Sequence, residues 1–275
     1  MLVHLALMVA LGAAVVLLTR AVVRGIEIYA AAGGMSAKAK GQFLGYATSL
    51  PELAGTVGTA GNGLLGASLW NVASSNIINL VLFSAAALFY RRFTALMNRK
   101  FIDEMAFAIG AFSVPLFLAS QRSVARSPWT AVGLFIFFVA YIYIDHKLNP
   151  EPPLSVAASR NPRDPSKKTR GILTSLAGIF GIVLAGNYLG TEAKFVVDGL
   201  GVPQWGVGWI LGFITSLPEM TAFFAVFHAA RQDGQPPTED TDCQENLDSL
   251  AASNMSNLGL IYPIGIAVFL FVSRG

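Results

Sequence analysis

Several apolar runs in this chain are long enough to cross a lipid bilayer as helices, which takes about 20 residues each. Of the 275 residues, 54% are hydrophobic and only 13% are charged, a composition well outside the range of soluble domains. The pattern predicts an all-α integral membrane protein. The first run continues to Val23 with neither a basic start nor a small-residue cleavage site, so we expect a retained helix rather than a signal peptide.

We expect eight transmembrane helices, arranged in two groups around one polar segment. This segment, residues 146–170, is rich in proline and basic residues. It predicts a cytoplasmic linker between a first membrane repeat at 1–145 and a shorter second repeat at 171–275. The predicted helices cover residues 2–31, 36–60, 63–90, 102–120 and 128–146 before the linker, and 171–190, 202–229 and 246–272 after it.

The basic residues indicate which helix ends face the cytoplasm. If the N-terminus lies outside, the loops that then lie inside hold most of the Lys and Arg residues, and the positive-inside rule favours that orientation in a cell (inner) membrane. The net charge of +3 does not indicate nucleic-acid binding, because the basic residues fall in loops and form no continuous face. The one cysteine, Cys243, excludes an internal disulfide.

One short stretch occurs twice. Gly41–Glu52 and Gly208–Glu219 match at eight of twelve positions and share the ending Thr-Ser-Leu-Pro-Glu. Each is followed by the pattern Ser-Asn-x-x-Asn, at 75–79 and at 253–257, so the repeated regions span 41–80 and 208–258. Because five predicted helices precede the linker, the second copy enters the membrane in the opposite sense. This parity predicts inverted repeats whose motifs meet near the midplane.

The two glutamates of the repeated stretch need a compensating partner. Glu52 and Glu219 lie within apolar helices, where an ionised carboxylate costs at least about 3 kcal/mol. No Lys or Arg lies at a similar depth in either half. A bound cation is the simplest partner, and protonation is the other.

The neighbours of these glutamates are oxygen donors. Thr48 and Ser49 lie four and three residues before Glu52, so the three side chains share one helix face. Pro51 and Pro218 lack an amide hydrogen and free the carbonyl four residues earlier. Further hydroxyl and amide oxygens come from the Ser-Asn-x-x-Asn patterns, at Ser75, Asn79, Ser253 and Asn257.

This donor set matches Ca²⁺, which takes six to eight hard oxygen ligands. No His or Cys pair accompanies the motif, which disfavours softer metals. The charges of two carboxylates balance one divalent ion. When that ion is absent, the carboxylates need protons or monovalent cations instead. This replacement of one ion by others is the physical basis of an exchanger. The alternative is that such residues only start a helix or join helices by hydrogen bonds. Recurrence in both halves favours the ion site, and no nucleophile–base pattern indicates an enzyme.

The paired motifs G-x-x-T-S-L-P-E and S-N-x-x-N resemble the alpha-repeats of the sodium/calcium exchanger (cation/Ca²⁺ antiporter) superfamily, over about residues 36–90 and 202–260. The resemblance implies ten helices in two inverted five-helix repeats, with alternating access as the first and sixth helices slide against a four-helix core. It implies exchange of Ca²⁺ for a monovalent ion, with no cofactor besides the transported ions. The implied ion ligands are Thr48, Ser49, Glu52, Ser75, Asn79, Thr215, Ser216, Glu219, Ser253 and Asn257, with carbonyls near Gly45 and Gly212.

Two features depart from that family pattern. Many sodium-coupled members carry Asp at the position of Asn257, so the counter-ion stays open between Na⁺ and H⁺ or K⁺. Eight predicted helices end at Gly275, which leaves a shortened, non-transporting cation-binding or partner-binding protein as the alternative.

A cluster of acidic residues before the last helix lacks the spacing of an EF-hand and is predicted to be a solvated linker: Glu239, Asp240, Asp242, Glu245 and Asp248.

Overall fold

A computed structural model describes residues 2–33, 37–148, 165–232 and 241–273, and these residues contain helices and no strand. A 3₁₀ turn at Arg99–Phe101 precedes α6, and a π-helical turn at Asn257–Ile261 joins the last two helices. The α-helices are α1 (Leu2–Gly33), α2 (Ala37–Thr48), α3 (Leu50–Gly61), α4 (Leu65–Phe89), α5 (Phe93–Leu96), α6 (Ile102–Ser120), α7 (Arg122–Ala125), α8 (Pro128–Leu148), α9 (Pro165–Leu200), α10 (Gln204–Thr215), α11 (Leu217–Gln232), α12 (Thr241–Ser256) and α13 (Tyr262–Val272).

Six helical stretches in the described part of the chain are long and apolar enough to cross a membrane. Large aliphatic and aromatic side chains cover their outer surfaces, as lipid-facing helices require. The protein is therefore an integral multi-pass membrane protein, while the count of eight spans stays a prediction. The six stretches are Leu2–Ala30, Leu65–Phe89, Pro128–Lys147, Pro165–Leu200, Gln204–Gln232 and Asp242–Val272.

Both copies of the repeated stretch are broken helices. The predictions of one helix over 36–60 and one over 202–229 were wrong, because α2 gives way to α3 at Ser49 and α10 gives way to α11 at Ser216. The backbone is the same at both breaks, with φ −82° and ψ −2° at Ser49 and φ −82° and ψ −1° at Ser216. Pro51 and Pro218 cause the break, since each removes one helical hydrogen bond.

Two helices begin earlier than predicted, because charged residues continue them. Helix α9 starts at Pro165 and ends at Leu200, so Lys167 and Lys168 lie in its first turns and not in the linker. Proline fits the first turn, and lysine is a good helix former. Helix α12 starts at Thr241 rather than 246.

The solvated linker predicted before the last helix was wrong for its described residues. Asp242, Glu245 and Asp248 lie on α12, and each is at most partly exposed. Asp242 pairs with Arg92 at 2.9 Å, and Glu245 pairs with Lys40 at 2.8 Å. These partners come from α2 and from the end of α4, which sequence order could not place beside α12. Residues 239 and 240 lie outside the described residues.

Helix α9 packs closely along α1 because glycines line their contact. A Cβ at Gly171 would lie 2.6 Å from the carbonyl oxygen of Gly25, and one at Gly178 would lie 3.0 Å from that of Leu18. The same helix meets α3 where Gly58 and Gly190 leave no room for a side chain. Small residues bring helix backbones together in membranes in this way.

Polar contacts gather the helix ends into two layers. In one layer, Lys38 at the start of α2 pairs with Asp145 near the end of α8 at 2.8 Å. The Arg92–Asp242 pair places the end of α4 and the start of α12 in the same layer. In the other layer, His4 at the start of α1 pairs with Glu192 near the end of α9 at 2.7 Å. In the same layer, the Gly66 N–H at the start of α4 donates to Gln204 Oε1 at the start of α10 at 2.8 Å.

Candidate ion-binding site

Each broken helix packs against the helix that carries the other Ser-Asn-x-x-Asn pattern. Helix α2 approaches α12 so closely that a Cβ at Gly45 would lie 2.9 Å from the Cβ of Ala252. Helix α10 approaches α4 in the same way, and a Cβ at Gly212 would lie 2.9 Å from the carbonyl oxygen of Asn71. The motif glycines therefore allow the two breaks to meet the polar residues of both halves.

Glu52 is completely buried among side chains of both motifs. The hydroxyls of Thr215, Ser75 and Ser216 lie close to its carboxylate, although none completes a hydrogen bond to its oxygens. The amide of Asn71 donates to the backbone carbonyl of Glu52 at 3.1 Å. Its oxygen in turn accepts from Thr215 at 3.4 Å. This end of the site therefore combines α3, α4 and α10.

Glu219 is equally buried and has the corresponding neighbours. Ser253 Oγ donates to Glu219 Oε1 at 3.1 Å, and Thr48 lies close to the same carboxylate. The hydroxyl oxygens of Ser253 and Ser49 lie 2.9 Å apart. The two glutamates are near enough for their charges to interact directly. All ten residues predicted for the site are buried, and these contacts bring eight of them together, the two glutamates included.

Oxygen atoms without a hydrogen-bond partner are concentrated at this site. In the described residues, six such buried atoms belong to predicted site residues: Glu52 Oε1 and Oε2, Asn79 Oδ1, Ser216 Oγ, Glu219 Oε2 and Asn257 Oδ1. Native proteins rarely leave buried polar atoms unpaired. Five of the six are carboxylate or carboxamide oxygens, which accept but do not donate, so a cation rather than a further acceptor would satisfy them.

The amide nitrogens of Asn79 and Asn257 are engaged in hydrogen bonds, whereas their amide oxygens are not. Asn79 Nδ2 donates to Ser253 Oγ at 3.3 Å and to Asn254 Oδ1 at 3.2 Å. Asn257 Nδ2 donates to Asn76 Oδ1 at 2.9 Å. The unpaired oxygens of Asn79 and Asn257 are thereby kept available for a ligand.

Sequence reasoning missed the residues that hold these ligands. Asn76 Nδ2 donates to the carbonyl of Asn254 at 3.1 Å, and Asn254 Nδ2 donates back to that of Asn76 at 3.3 Å. Both occupy the second position of Ser-Asn-x-x-Asn, so the repeat itself was a usable signal. No repeat signal identified Asn71, whose side chain forms hydrogen bonds from α4 to both α3 and α10.

A groove of about 550 Å³ leads towards the site between α1, α2, α11 and α12. Pro218 lines it and directly precedes Glu219 in the chain. Arg20 and Arg24 line its other wall, on α1. Leu44 and Thr221 also line the groove, each within five residues of a helix break.

Comparison with known proteins gives consistent similarities. The family model for the sodium/calcium exchanger protein matches residues 3–145, more than half of the chain. The sodium/calcium exchanger MaX1 from Methanosarcina acetivorans is 35% identical over 98 residues. That alignment covers 35% of this chain and 27% of MaX1, so it spans about a quarter of that relative.

Solved structures share the fold. A structure of the sodium-calcium exchanger NCX_Mj, soaked with Na⁺ and Sr²⁺, aligns over 100% of this chain and 89% of its own, with TM-score 0.56 and 19% identity. The H⁺/Ca²⁺ exchanger CAX aligns over 96% of this chain and 69% of its own, with TM-score 0.60 and 16% identity. At these identities the likeness concerns the fold. The resemblance suggested by the two motifs is confirmed, and this chain belongs to the sodium/calcium exchanger protein family.

Proposed function

We propose that this protein is a secondary active antiporter that exchanges Ca²⁺ for a monovalent cation at a site around Glu52 and Glu219. The observation that carries the proposal is the set of unpaired carboxylate and carboxamide oxygens, contributed by both motifs and buried together. Glu52, Glu219, Asn79 and Asn257 supply these oxygens. The hydroxyls of Thr48, Thr215, Ser49, Ser216, Ser75 and Ser253 complete the proposed ligand set.

Charge balance explains why such a site would exchange ions rather than hold one. Two carboxylates neutralise one Ca²⁺, whereas leaving both ionised and empty in the membrane costs several kcal/mol, about 3 or more for each. When Ca²⁺ leaves, two monovalent charges must therefore replace it. The site would then change the side of the membrane that it faces only with Ca²⁺ or monovalent cations bound, and not while empty.

We further propose two inverted repeats, 1–145 and 171–275, and alternating access between them. The start of α2 lies in the layer that contains Asp145, whereas the start of α10 lies in the opposite layer, beside Gly66. This placement supports opposite directions for the two motifs. The groove that reaches Pro218 would be the access path from the first layer. Helices α1 and α9, which would slide against the core, pack closely along a glycine-lined contact and would move together.

The proposed orientation places the N-terminus outside, in the cell (inner) membrane. Lys38, Lys40 and Arg92 lie in the layer that would then face the cytoplasm. This agrees with the positive-inside rule. The counter-ion is Na⁺ or H⁺, since the matched proteins include a sodium–calcium and an H⁺/Ca²⁺ exchanger.

The decisive experiment measures ⁴⁵Ca²⁺ uptake into vesicles that contain the purified protein. An outward Na⁺ gradient and an outward H⁺ gradient are imposed separately, and we expect one of them to drive uptake. The variant Glu52→Gln/Glu219→Gln should lose that uptake, because the site no longer has charge to balance. Glu192→Gln is the matched control, since this carboxylate pairs with His4 at one end of the bundle.

Two results would contradict the proposal. Equal uptake by the wild type and the double variant would exclude these glutamates as the transport site. Saturable Ca²⁺ binding without counterflux under either gradient would instead support the non-transporting alternative.

A further inference from the structure

We propose a second divalent-cation site, formed by Glu104, Asp145 and Asp248, with Ca²⁺ as its ligand. It lies at the end of the bundle where α2, α6 and α12 begin and α8 ends. None of its residues belongs to the Glu52–Glu219 site.

Three carboxylates from three helices converge at this place. One oxygen of each lies within 4.8 Å of the others. The side chains come from α6, α8 and α12, and none is more than 5% exposed. Carboxylates gathered at this distance and removed from water repel each other strongly unless a cation lies between them or protons neutralise them.

One of the carboxylate oxygens has no partner. Glu104 Oε2 is buried and makes no hydrogen bond, although Glu104 Oε1 accepts one from Gln244 at 3.0 Å. The same Gln244 amide nitrogen donates to Asp248 Oδ2 at 3.0 Å. Gln244 thus holds two of the three carboxylates together and leaves an acceptor atom for a ligand.

The protein's own cation neutralises only part of this charge. Lys38 Nζ lies 2.8 Å from Asp145 Oδ2, which also accepts from Gln42 at 2.7 Å. When they are ionised, the three cluster carboxylates and this ammonium sum to −2, and the neighbouring Asp103 brings the sum to −3, so one divalent cation would balance most of the charge. Partly buried Asp103 lies beside Glu104 and adds to the negative potential. The other titratable groups facing the cluster are Tyr46 and Tyr141.

The ligand chemistry favours Ca²⁺, and the spacing is compatible with it. All the donors are hard oxygens, and no His or Cys belongs to the cluster. Oxygens on opposite sides of one Ca²⁺ lie about 4.6–5.2 Å apart, because each Ca–O distance is about 2.3–2.6 Å. Mg²⁺ retains several waters, which a buried cluster does not readily accommodate.

The test counts bound Ca²⁺ after the first site has been disabled. Equilibrium dialysis with ⁴⁵Ca²⁺ is performed on the purified full chain carrying Glu52→Gln/Glu219→Gln. We expect this variant to retain about one Ca²⁺ per chain, and added Ca²⁺ should raise its thermal unfolding midpoint. Adding Glu104→Gln and Asp248→Asn should weaken the remaining binding at least about tenfold and abolish the thermal shift.

The matched control adds Asp198→Asn to the same background. This carboxylate pairs with Lys194 on an exposed surface, so its loss should leave Ca²⁺ binding unchanged. If the combined variant does not fold, the isosteric change Glu104→Gln alone is measured in its place.

Two outcomes would overturn the second site. One is no Ca²⁺ retained by the folded Glu52→Gln/Glu219→Gln protein. The other is retained Ca²⁺ that the Glu104 and Asp248 changes do not weaken. Neither outcome depends on transport, so failure of this inference is distinguishable from failure of the proposed antiport.

Discussion

The hydroxyl oxygens of Ser49 and Ser253 lie 2.9 Å apart, although 204 positions separate these residues in the chain. Ser49 is the residue at which the first broken helix is interrupted, and Ser253 donates to Glu219 in the other half. One hydroxyl pair therefore connects the break of one motif to the acidic residue of the other. Removing it should disturb both halves of the proposed site.

Ser253→Ala should lower Ca²⁺ affinity about tenfold, or about 1.4 kcal/mol, because Glu219 loses its hydrogen-bond donor and the site loses one oxygen. The half-saturating Ca²⁺ concentration in gradient-driven uptake measures this. Ser84→Ala is the matched control, since that hydroxyl donates to the carbonyl of Leu80 in its own helix. Equal affinities for the two variants would exclude the role given to Ser253.

Gly45→Ala and Gly212→Ala should each destabilise the protein by about 1–3 kcal/mol, because the added methyl group has no space at the helix contacts. The thermal unfolding midpoint in detergent measures the effect. Gly133→Ala is the control, since nothing lies within 4 Å of a Cβ there. It should be neutral or stabilise α8 by about 0.5–1 kcal/mol. Midpoints that fall equally for all three variants would contradict this account.

Arg92→Met should destabilise the protein by about 3–5 kcal/mol, because Asp242 would stay buried beside an apolar side chain. The Arg92 and Asp242 side chains are each 3% exposed. The double change Arg92→Met/Asp242→Leu should recover most of this loss, since no buried charge remains. Chemical unfolding measures both variants.

Lys194→Met serves as the control for that pair. Lys194 and Asp198 are 47% and 57% exposed, and an exposed pair contributes at most about 1 kcal/mol. If Lys194→Met lowered the free energy of unfolding as much as Arg92→Met does, burial would not determine how much an ion pair contributes to stability.

Asn257→Asp should make Ca²⁺ binding more sensitive to Na⁺ and to pH. The variant adds a third carboxylate, so charge balance around one Ca²⁺ requires a further monovalent cation or proton. The Ca²⁺ dissociation constant, measured over a series of Na⁺ concentrations and pH values, tests this. Asn98→Asp, outside the site, should leave both dependences unchanged. If Asn257→Asp alters neither, residue 257 does not contribute to the charge of the site.

Local sequence was sufficient to locate the proposed ligands but not the shape of their helices. The motif residues Glu52 and Glu219 were identified from the chemical cost of a carboxylate in an apolar helix. The same reasoning treated 36–60 as one helix, although Pro51 interrupts it at Ser49. Pro51 predicts a locally broken backbone, whereas the hydropathy that sets the predicted helix ends continues across the break.

The partners of charged residues were harder to predict, because each depends on which helices become neighbours. Asp242 and Asp248 belong to a polar run that resembles a linker by composition. Asp242 is buried because Arg92 from the end of α4 meets it. Asp248 is buried beside Glu104 from α6, 144 positions earlier in the chain. Neither partner shares a spacing pattern with α12.

The amino-acid sequence by itself determined the membrane environment, the repeated acidic motifs and the kind of atom offered to an ion. These properties follow from local composition and from residue spacing along a single helix. Only the tertiary structure decided that Thr215 would lie near Glu52, that Thr48 would lie near Glu219 and that three further carboxylates would meet at one end of the bundle. The physical reason is that such contacts depend on helix packing between distant segments, which glycine-lined surfaces permit and which no local pattern encodes.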